Sequence, residues 1–201
     1  MAAGTKGVAR AEREVQIVDA ACRVFGQSGY AATSVADVAE AAGISKPLIY
    51  HYFGSKEGLY VVALRRAAAV LVEEIERTAS LGTVGIERAV VTLDGMFAVL
   101  AGQPWLWRLV FDATAPRKGE VAEAVAEHEA TLVVLGSEGV GDLLAHIGND
   151  DPDDLSALRA VWEQTFRTLV SWWLDHPEVS PAAMTQRCER LFGAVLGGST
   201  P

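Results

Sequence analysis

Apolar residues recur every three or four positions along most of the chain, a spacing that places them on one face of an α-helix. In the first such segment, residues 9–27, the periodic apolar positions are Val15, Val18, Ala21, Cys22 and Phe25. Gly26 and Gly29 follow and predict a stop. Neither a strictly alternating run nor an Asn-Gly hairpin sequence occurs in the 201 residues. The pattern therefore predicts an all-α protein.

Two short helices are predicted directly after the first one, at residues 34–42 and 45–53. The earlier one opens with Ser-x-x-Asp, a capping-box spacing, and the later one opens with Ser and carries Pro in its first turn. Gly43 lies between them. Two short helices joined by a turn that contains glycine are the parts of a helix-turn-helix. The apolar residues available to close these helices on the first are Val35, Val38, Ala39, Ile44, Ile49, Phe53 and Leu59.

Six more helices are predicted from breakers and caps, which gives about nine in all. They cover residues 56–79 behind a Ser55 cap, a stretch ending near 100, residues 105–111, a stretch from after Gly119 to about 147, residues 152–176, and a last stretch ending at 197. Glycines at 136, 139 and 141 are expected to bend or split the fourth of these.

The charge is distributed unevenly. Residues 1–66 carry a net +2 and the remaining residues −11, for a total of −9. The total argues against a protein that coats nucleic acid regardless of sequence, although one end of the chain is mildly basic. No uncharged apolar window reaches the ~18 residues of a membrane span, and the first residues lack the apolar core of a signal peptide. We expect a cytoplasmic protein.

The reactive residue types argue against an enzyme. Cys22 and Cys188 have no CxxC spacing and are expected to be small buried apolar residues. The histidines are scattered, and His128 and His146 are expected on exposed helix faces. No zinc-binding His-Glu-x-x-His helix, nucleophile elbow or phosphate loop is present. The sequence predicts no catalytic residue, no metal and no cofactor.

The second short helix carries an unusual set of outward-facing side chains: Ser45, Lys46, Pro47, Leu48, Tyr50 and His51. Hydroxyl and ammonium groups donate to phosphates or base edges, and an aliphatic side chain can touch a thymine methyl. The helix starts at Thr33/Ser34 and at Ser45 present free N–H groups and positive dipole ends to phosphate, and Lys56 adds a charge. These features predict a helix that enters the major groove of DNA.

Residues 10–60 resemble the DNA-binding region of the TetR family of bacterial transcription regulators. The resemblance rests on Gly-Tyr at 29–30, Thr-Ser at 33–34, Val-Ala-Asp-Val-Ala at 35–39, Ala-Gly-Ile-Ser at 42–45, Ile-Tyr-His-Tyr-Phe at 49–53 and Ser-Lys-Glu-Gly-Leu at 55–59. The chain departs from the family at Pro47-Leu48, where small pairs such as Gly-Thr are frequent. The identity of the bases it reads therefore does not carry over.

The resemblance implies an all-helical homodimer with an N-terminal three-helix helix-turn-helix head and a larger helical body for ligand binding and dimerisation. We accordingly predict a DNA-binding domain at 1–55 and an effector-binding and dimerisation domain at 56–201. Carried over, Ser45, Lys46, Pro47 and Leu48 read bases, Tyr50, His51 and Lys56 contact phosphates, and Thr33 or Ser34 contacts DNA at the start of the first motif helix. Lys6, Arg10 and Arg13 are either a basic arm that reaches DNA or a solvated tail.

A group of mainly aromatic residues predicts an effector pocket in the body: Met96, Phe97, Leu100, Trp105, Trp107, Phe111, Trp162, Phe166 and Trp173. Each one alone is better interpreted as an ordinary core residue. As a group, in the segments that surround the pocket in the family, they favour a hydrophobic effector. Asp94, Asp112 and Glu163 nearby would suit a cationic ligand, although solvated carboxylates are the simpler interpretation.

The resemblance also implies that the last two helices of each subunit pair as a four-helix bundle. Apolar residues there form the predicted dimer interface: Leu155, Leu158, Leu169, Leu191, Phe192 and Val195. The expected function is a sequence-specific regulator, a repressor that a small hydrophobic effector releases from a palindromic double-stranded operator, with the helix at 56–79 as the lever. An activator, an effector-independent regulator, and a protein of the same fold that holds a protein partner remain open.

Overall fold

Nine α-helices make up the part of the chain that the structure describes, residues 10–196, with Val195 and Leu196 described by their backbone alone. In this computed structural model they are α1 (Arg10–Ala32), α2 (Val35–Ala42), α3 (Lys46–Phe53), α4 (Lys56–Ala79), α5 (Ile86–Gly102), α6 (Trp105–Val110), α7 (Glu120–His146), α8 (Pro152–Leu174) and α9 (Pro181–Leu196). Residues 10–196 contain no strand. The predicted all-α class and helix number are confirmed.

The structure differs from the prediction at two helix breaks, in α1 and in α7. Gly26 does not end α1; the break lies at Gly29, where φ is 76° and ψ is 164°, within a helix that continues to Ala32. The predicted split of α7 is wrong, since the helix is continuous from Glu120 to His146. A glycine inside a helix costs only about 1 kcal/mol relative to alanine, so packing of a long helix overrides three of them.

The chain forms two compact packing units. The first unit comprises Met1–Ala69 and Trp105–His128, and the second comprises Val70–Pro104 and Glu129–Pro201. Helices α4 and α7 are therefore each divided between the units, while α6 belongs wholly to the unit that contains the helix-turn-helix. The predicted boundary between residues 55 and 56 concerns function and stays a prediction.

The inward face of α1 is the predicted one at Val18, Ala21, Cys22 and Phe25, which are all buried, but not at Val15. Ile17 and Phe25 are fully buried, whereas Val15 is 47% exposed. Arg13 is only 7% exposed. Residues 13, 17, 21 and 25 succeed one another at the i, i+4 spacing of a single helix face, while Val15 lies two residues, or about 200°, away from it. The buried face of α1 therefore follows the i, i+4 series of positions 13, 17, 21 and 25, and this series includes the charged residue Arg13.

The first unit buries the apolar set that closes the short helices. Val35, Val38, Ala39, Ile49 and Leu59 are buried, as predicted. Ile44 and Phe53 are half-buried. Tyr60 and Leu64 of α4 and Leu109 of α6 are fully buried in the same unit. The core therefore draws on α4 and α6 as well as on the first three helices.

Capping fixes both ends of α2 and the start of α4. Asp37 Oδ2 accepts the Ser34 N–H at 2.7 Å and Ser34 Oγ accepts the Asp37 N–H at 3.3 Å, which completes the predicted capping box. Gly43 ends α2 in the left-handed conformation, with φ of 66°. Ser55 Oγ accepts the N–H of Gly58 at 2.8 Å, as expected of a cap. Ser45 precedes α3 without a side-chain capping bond.

Helices α1 and α6 approach each other closely at Gly26. A Cβ placed on Gly26 would collide with the carbonyl oxygen and the Cβ of Trp105, the first residue of α6. The colliding carbonyl is part of the backbone and cannot rotate away. Only a residue without a side chain therefore lets α1 and α6 pack at this distance.

The second unit is built on α5. Leu93, Met96, Phe97 and Leu100 of this helix are fully buried. Helix α9 packs against α5 and contributes two further buried residues, Met184 and Cys188. Trp173 of α8 is also buried, and its indole N–H donates to the carbonyl of Val179 at 2.8 Å.

The cysteines and one histidine lie inside the protein. Cys22 and Cys188 are buried, as predicted, and burial raises the pKa of the Cys22 thiol to about 12 and that of Cys188 to about 11. His128 is buried, contrary to prediction, whereas His146 is exposed. Among the described residues no cluster of three His, Cys, Asp or Glu side chains could hold a metal, and no helix has the length and apolarity to cross a membrane.

Replacing Gly26 by alanine is expected to destabilise the protein by about 2 kcal/mol, because overpacking against fixed backbone costs about 1–3 kcal/mol. Urea unfolding followed by circular dichroism measures the change. Gly139→Ala is the matched control, since a Cβ on this helical glycine meets nothing within 4 Å. We expect the control to be neutral or stabilised by up to about 1 kcal/mol. Equal midpoints for the two variants would contradict the close approach of α1 and α6.

Asp37→Asn tests the capping box through its pH dependence. Hydrogen bonds from the backbone and side chain of Ser34 hold the pKa of the Asp37 carboxyl below its usual value. The carboxylate therefore stabilises the folded state above its unfolded pKa, and this contribution is lost as the pH falls through the lower folded pKa. We expect wild type to exceed Asp37→Asn in urea midpoint at neutral pH and the difference to shrink as the pH falls below the unfolded pKa of about 3.9. A pH-independent difference would contradict the role of the charge.

Candidate nucleic-acid interface

Helix α3 presents a polar face opposite a buried anchor. Ile49 is fully buried and Phe53 is half-buried, which fixes the rotation of the helix on the first unit. Five of the six residues predicted to face outward are exposed: Ser45, Lys46, Pro47, Tyr50 and His51. Leu48 is half-buried, so the structure covers part of this predicted base-contacting side chain. The hydroxyl of Ser45 is not used in capping and lies on the same face.

Two cations lie over aromatic rings of α3. The Lys46 ammonium is 5.8 Å from the centroid of the Tyr50 ring. The guanidinium of Arg10, at the start of α1, is 5.6 Å from the centroid of the Tyr52 ring. Tyr52 in turn makes an edge contact with His51. Arg10 therefore lies beside α3, a neighbourhood that the sequence did not reveal.

Within the described residues, the predicted basic arm of Lys6, Arg10 and Arg13 is supported at one position only, Arg10. Arg10 is exposed and contacts Tyr52. Arg13 is buried, so it is not part of an arm, because the inward face of α1 includes its position. Lys6 lies outside the described residues.

The start of α2 exposes one of its two predicted contacts. Ser34 is exposed, whereas Thr33 is only 3% exposed. The Thr33 hydroxyl donates back to the carbonyl of Val24 in α1 at 3.5 Å. The structure therefore presents Ser34 and the first N–H groups of α2 to solvent and turns the side chain of Thr33 inward.

Lys56, a predicted phosphate contact, is half-buried and already holds a protein group. Its ammonium donates to the carbonyl of Tyr30 at 2.6 Å and lies 4.0 Å from the centroid of the Tyr30 ring. An ammonium has three N–H donors, so this bond leaves two for a phosphate. The contact with DNA stays a prediction, and the structure adds a second role for the same side chain.

Asp112, just after α6, gathers hydrogen bonds from distant parts of the first unit. Its Oδ2 accepts the backbone N–H of Tyr30 at 2.6 Å and the hydroxyl of Tyr60 at 3.2 Å. Its Oδ1 accepts the N–H of Thr114 at 2.8 Å and the hydroxyl of Thr114 at 2.7 Å. The sequence suggested that this carboxylate is solvated, but both of its oxygens are hydrogen-bonded within the protein. The same bonds occupy the oxygens that a cationic ligand would need.

The tyrosine beside Asp112 continues the network. The Tyr30 hydroxyl donates to Glu57 at 2.6 Å, and this bond is the largest cause of the lowered pKa of the Glu57 carboxyl. Burial, followed by the bond to Glu57, raises the pKa of Tyr30 well above its usual value. Burial, followed by the charge of Asp112, raises the pKa of Tyr60 in the same way. Both tyrosines are therefore neutral donors at physiological pH.

The predicted effector residues are divided between the two packing units. In the first unit Trp105 is half-buried, and Trp107 and Phe111 pack with ring centroids 4.3 Å apart. In the second unit, Phe97 packs on Trp173 at 5.1 Å and Trp162 on Phe166 at 6.0 Å. The α5 members of the set, Met96, Phe97 and Leu100, are fully buried. A common ligand site for the set stays a prediction.

The other two carboxylates near these aromatics are also engaged. Asp94 accepts the hydroxyl of Thr185 at 2.6 Å, which joins α5 to α9. Glu163 pairs with Arg159 at 3.3 Å and with Arg167 at 3.6 Å along α8. They serve contacts within the second unit.

The predicted dimer residues are mostly half-buried in the single chain. Leu155, Leu158, Leu169 and Phe192 are half-buried, Leu191 is exposed, and the side chain of Val195 lies outside the described part. The ring of Phe192 lies 6.0 Å from that of Trp162, which links α9 to α8. Their role in dimerisation stays a prediction.

Two exposed apolar residues of α8 were missed. Val161 is 61% exposed and Trp172 is 39% exposed. A signal was present in the sequence, because residues 158, 161, 165, 169 and 172 follow one another at helical spacing and share a face with two predicted interface residues.

Comparison with known proteins agrees with the helix-turn-helix geometry. Residues 17–63 match the family model described as bacterial regulatory proteins, tetR family. The HTH-type transcriptional activator FasR of Mycolicibacterium smegmatis is 31% identical over 116 residues, which are 58% of this chain and 53% of that protein. The match with this protein and with two other curated relatives spans from about a quarter to about half of their length.

Two solved structures share the fold over most of their length. The transcriptional regulator FadR from Bacillus subtilis, in complex with stearoyl-CoA, has a TM-score of 0.72 at 20% identity, covering 88% of this chain and 96% of that one. AibR, in complex with isovaleryl coenzyme A and operator DNA, has a TM-score of 0.73 at 17% identity, covering 91% and 97%. At these identities the likeness concerns the fold. The amino-terminal helix-turn-helix segment, residues 17–63, thus matches the tetR family of bacterial regulatory proteins, and the chain as a whole shares the fold of these two regulators.

Proposed function

We propose that the protein is a sequence-specific DNA-binding transcription regulator that acts as a homodimer. The observation that carries the proposal is the exposed polar face of α3, with Lys46, Tyr50 and His51 held outward by the buried Ile49. A helix of this width fits the major groove of DNA, where hydroxyl and ammonium donors reach base edges and phosphates. Arg10, which lies over the Tyr52 ring, and the exposed Ser34 add to the donor set.

The charge distribution supports binding through the amino-terminal end. Residues 1–66 carry +2 and the rest of the chain −11. A strongly acidic remainder is repelled by the phosphate backbone, so attraction is confined to the helix-turn-helix end. Binding governed by a few phosphate contacts is expected to weaken steeply as the salt concentration rises.

Dimerisation is supported by the apolar residues that α8 and α9 leave exposed. Val161 is 61% exposed, Leu191 is 46% exposed and Trp172 is 39% exposed, so the two helices present apolar surface that a second copy of the chain could cover. A two-fold dimer through these helices would display two copies of α3 to two half-sites of a palindrome, about 34 Å apart or somewhat more.

The first test is a selection of bound sequences from a random duplex pool with the purified protein at ~0.15 M salt. We expect one palindromic sequence to be recovered. Sequence-blind binding, or no binding, would contradict the proposal.

Tyr50→Ala should then weaken binding to the selected duplex by at least about tenfold, since losing one such contact costs about 1–3 kcal/mol. Its dimer should remain intact by analytical ultracentrifugation, because the Tyr50 side chain is exposed and outside the core. Leu81→Ala, which removes a similarly exposed side chain of the second unit, is the control and should bind like wild type. Loss of the dimer in Tyr50→Ala would instead make Tyr50 a structural residue.

We further propose that a hydrophobic small molecule controls DNA binding and that an acyl-CoA is the class to test first. Met96, Phe97 and Leu100 are buried in the second unit, where α5 packs against α8 and α9, and a methionine side chain adapts readily around an apolar ligand chain. Acyl-CoA thioesters are bound in the two fold-related structures. A ligand releases DNA only by binding the non-DNA-bound state more tightly, so its effect equals that difference in affinity.

The effector proposal is tested on the complex between the protein and the selected duplex. Acyl-CoAs of increasing chain length are titrated into this complex, and free CoA is the control. We expect long-chain acyl-CoA to lower DNA affinity by at least about tenfold, corresponding to ~1.4 kcal/mol of coupling, and free CoA to leave it unchanged. If no acyl-CoA changes the affinity, the acyl-CoA proposal is wrong while the DNA-binding proposal stands.

An activator is the second candidate, because the relative that matches 58% of the chain is named as one. Transcription in vitro from a promoter carrying the selected sequence separates the two. A fall in transcript on adding the protein indicates a repressor and a rise indicates an activator.

A further inference from the structure

One carboxylate in the first unit joins three helices. Asp112 lies two residues after the end of α6, accepts the backbone N–H of Tyr30 near the end of α1, and accepts the hydroxyl of Tyr60 in α4. The neighbouring Thr114 donates twice to the other oxygen and so fixes the direction of the carboxylate. Both oxygens of Asp112 therefore have defined donors.

The backbone of α1 comes as near to this carboxylate as a glycine allows. A Cβ on Gly29 would lie 2.9 Å from the Thr114 hydroxyl and 3.3 Å from Asp112 Oδ1. Gly29 has a φ of 76°, which L side chains rarely adopt, and this break directs the N–H of Tyr30 at Asp112 instead of along the helix. The bond therefore depends on a backbone conformation that only glycine adopts without strain.

Tyr30, held by Asp112, is connected to two proposed DNA contacts, Lys56 and Ser34. Its carbonyl accepts the ammonium of Lys56 at 2.6 Å, and its hydroxyl donates to Glu57 at 2.6 Å, so it holds the first turn of α4. Along the chain, Tyr30 is four residues before Ser34, which caps α2. The start of α2 and the start of α4 are thus tied to the same residue.

We propose that Asp112 is a positioning residue for DNA binding: through Tyr30 it sets where Lys56 and the start of α2 lie relative to α3. This inference rests on the proposed function. Asp112 acts through Tyr30 and contacts no DNA itself. Hydrogen bonds are directional, and a satisfied hydrogen-bond network of this kind rigidifies the unit and specifies one position for its members.

Asp112→Asn is the decisive substitution because it keeps the shape of the side chain. Each carboxylate oxygen accepts one backbone N–H, from Tyr30 or from Thr114, and the Tyr60 hydroxyl near Oδ2 also reaches the carbonyl of Leu109 at 3.3 Å, so an amide in either orientation turns its NH₂ against a backbone N–H. We expect the full-length variant to remain helical and dimeric. Its affinity for the selected duplex should fall at least tenfold, and the slope of log affinity against log salt should decrease by about one as the Lys56 contact is lost.

A second variant that lowers the stability of the same unit shows whether Asp112→Asn acts by displacing the DNA contacts or only by destabilising the fold. Val121→Ala removes buried apolar volume from the same unit, in α7, without touching the network. It should lower the Tm and leave both the affinity and the salt slope at their wild-type values. If Val121→Ala weakens DNA binding as much as Asp112→Asn at an equal loss of Tm, Asp112 is structural only and the inference is overturned.

A double-mutant cycle tests the route through Lys56. Lys56→Gln should by itself reduce the salt slope by about one. In that background Asp112→Asn should cost much less affinity than in wild type, since residues of one network are not additive. If the affinity losses of Asp112→Asn and Lys56→Gln are fully additive, Asp112 does not act through Lys56.

The two proposals fail in distinguishable ways. If wild type selects no DNA sequence, the proposed function is wrong and this inference falls with it. If wild type binds its selected duplex and Asp112→Asn binds it with the same affinity and salt slope, this inference alone is wrong.

Discussion

The close packing of α1 on α6 is the contact on which the amino-terminal part of the molecule depends. Gly26 admits the backbone of Trp105, and one turn further on Gly29 admits the carboxylate of Asp112. Both approaches require the absence of a Cβ. The first three helices thereby form one compact unit with α6 and the beginning of α7, so the residues proposed to touch DNA pack in the same unit as a segment that starts at residue 105.

The local features of the fold could be predicted from the sequence because their causes are local. The Ser-x-x-Asp spacing of α2, the left-handed Gly43 and the Ser55 cap act over three or four residues, and helical period in the apolar residues marks the remaining elements. The outward face of α3 followed in the same way, from the alternation of Ile49 with its polar neighbours. The predicted buried face of α1 was wrong only at Val15, because apolar spacing alone did not show that position 13, an arginine, continues the buried i, i+4 series of positions 17, 21 and 25.

The parts of the candidate site that the sequence did not reveal depend on distant residues. Tyr30 and Asp112 are 82 residues apart, and neither belongs to a pattern that would pair them. Thr33 resembles its neighbour Ser34 in sequence, and only the bond to Val24 turns it inward. The proposed effector residues are a different case, because a buried Phe97 has the same sequence signature whether it lines a ligand site or fills a core.

The burial of both cysteines has a consequence for redox chemistry. Thiolate, and not thiol, reacts with peroxides and disulfides, and a pKa of about 12 for Cys22 leaves only about one molecule in 10⁵ as thiolate at neutral pH. Cys188, with a pKa of about 11, is similarly protonated. Burial and the raised thiol pKa therefore both disfavour oxidation of the cysteines in the folded protein. Thiol modification measured in a population of molecules reports the fraction that has unfolded.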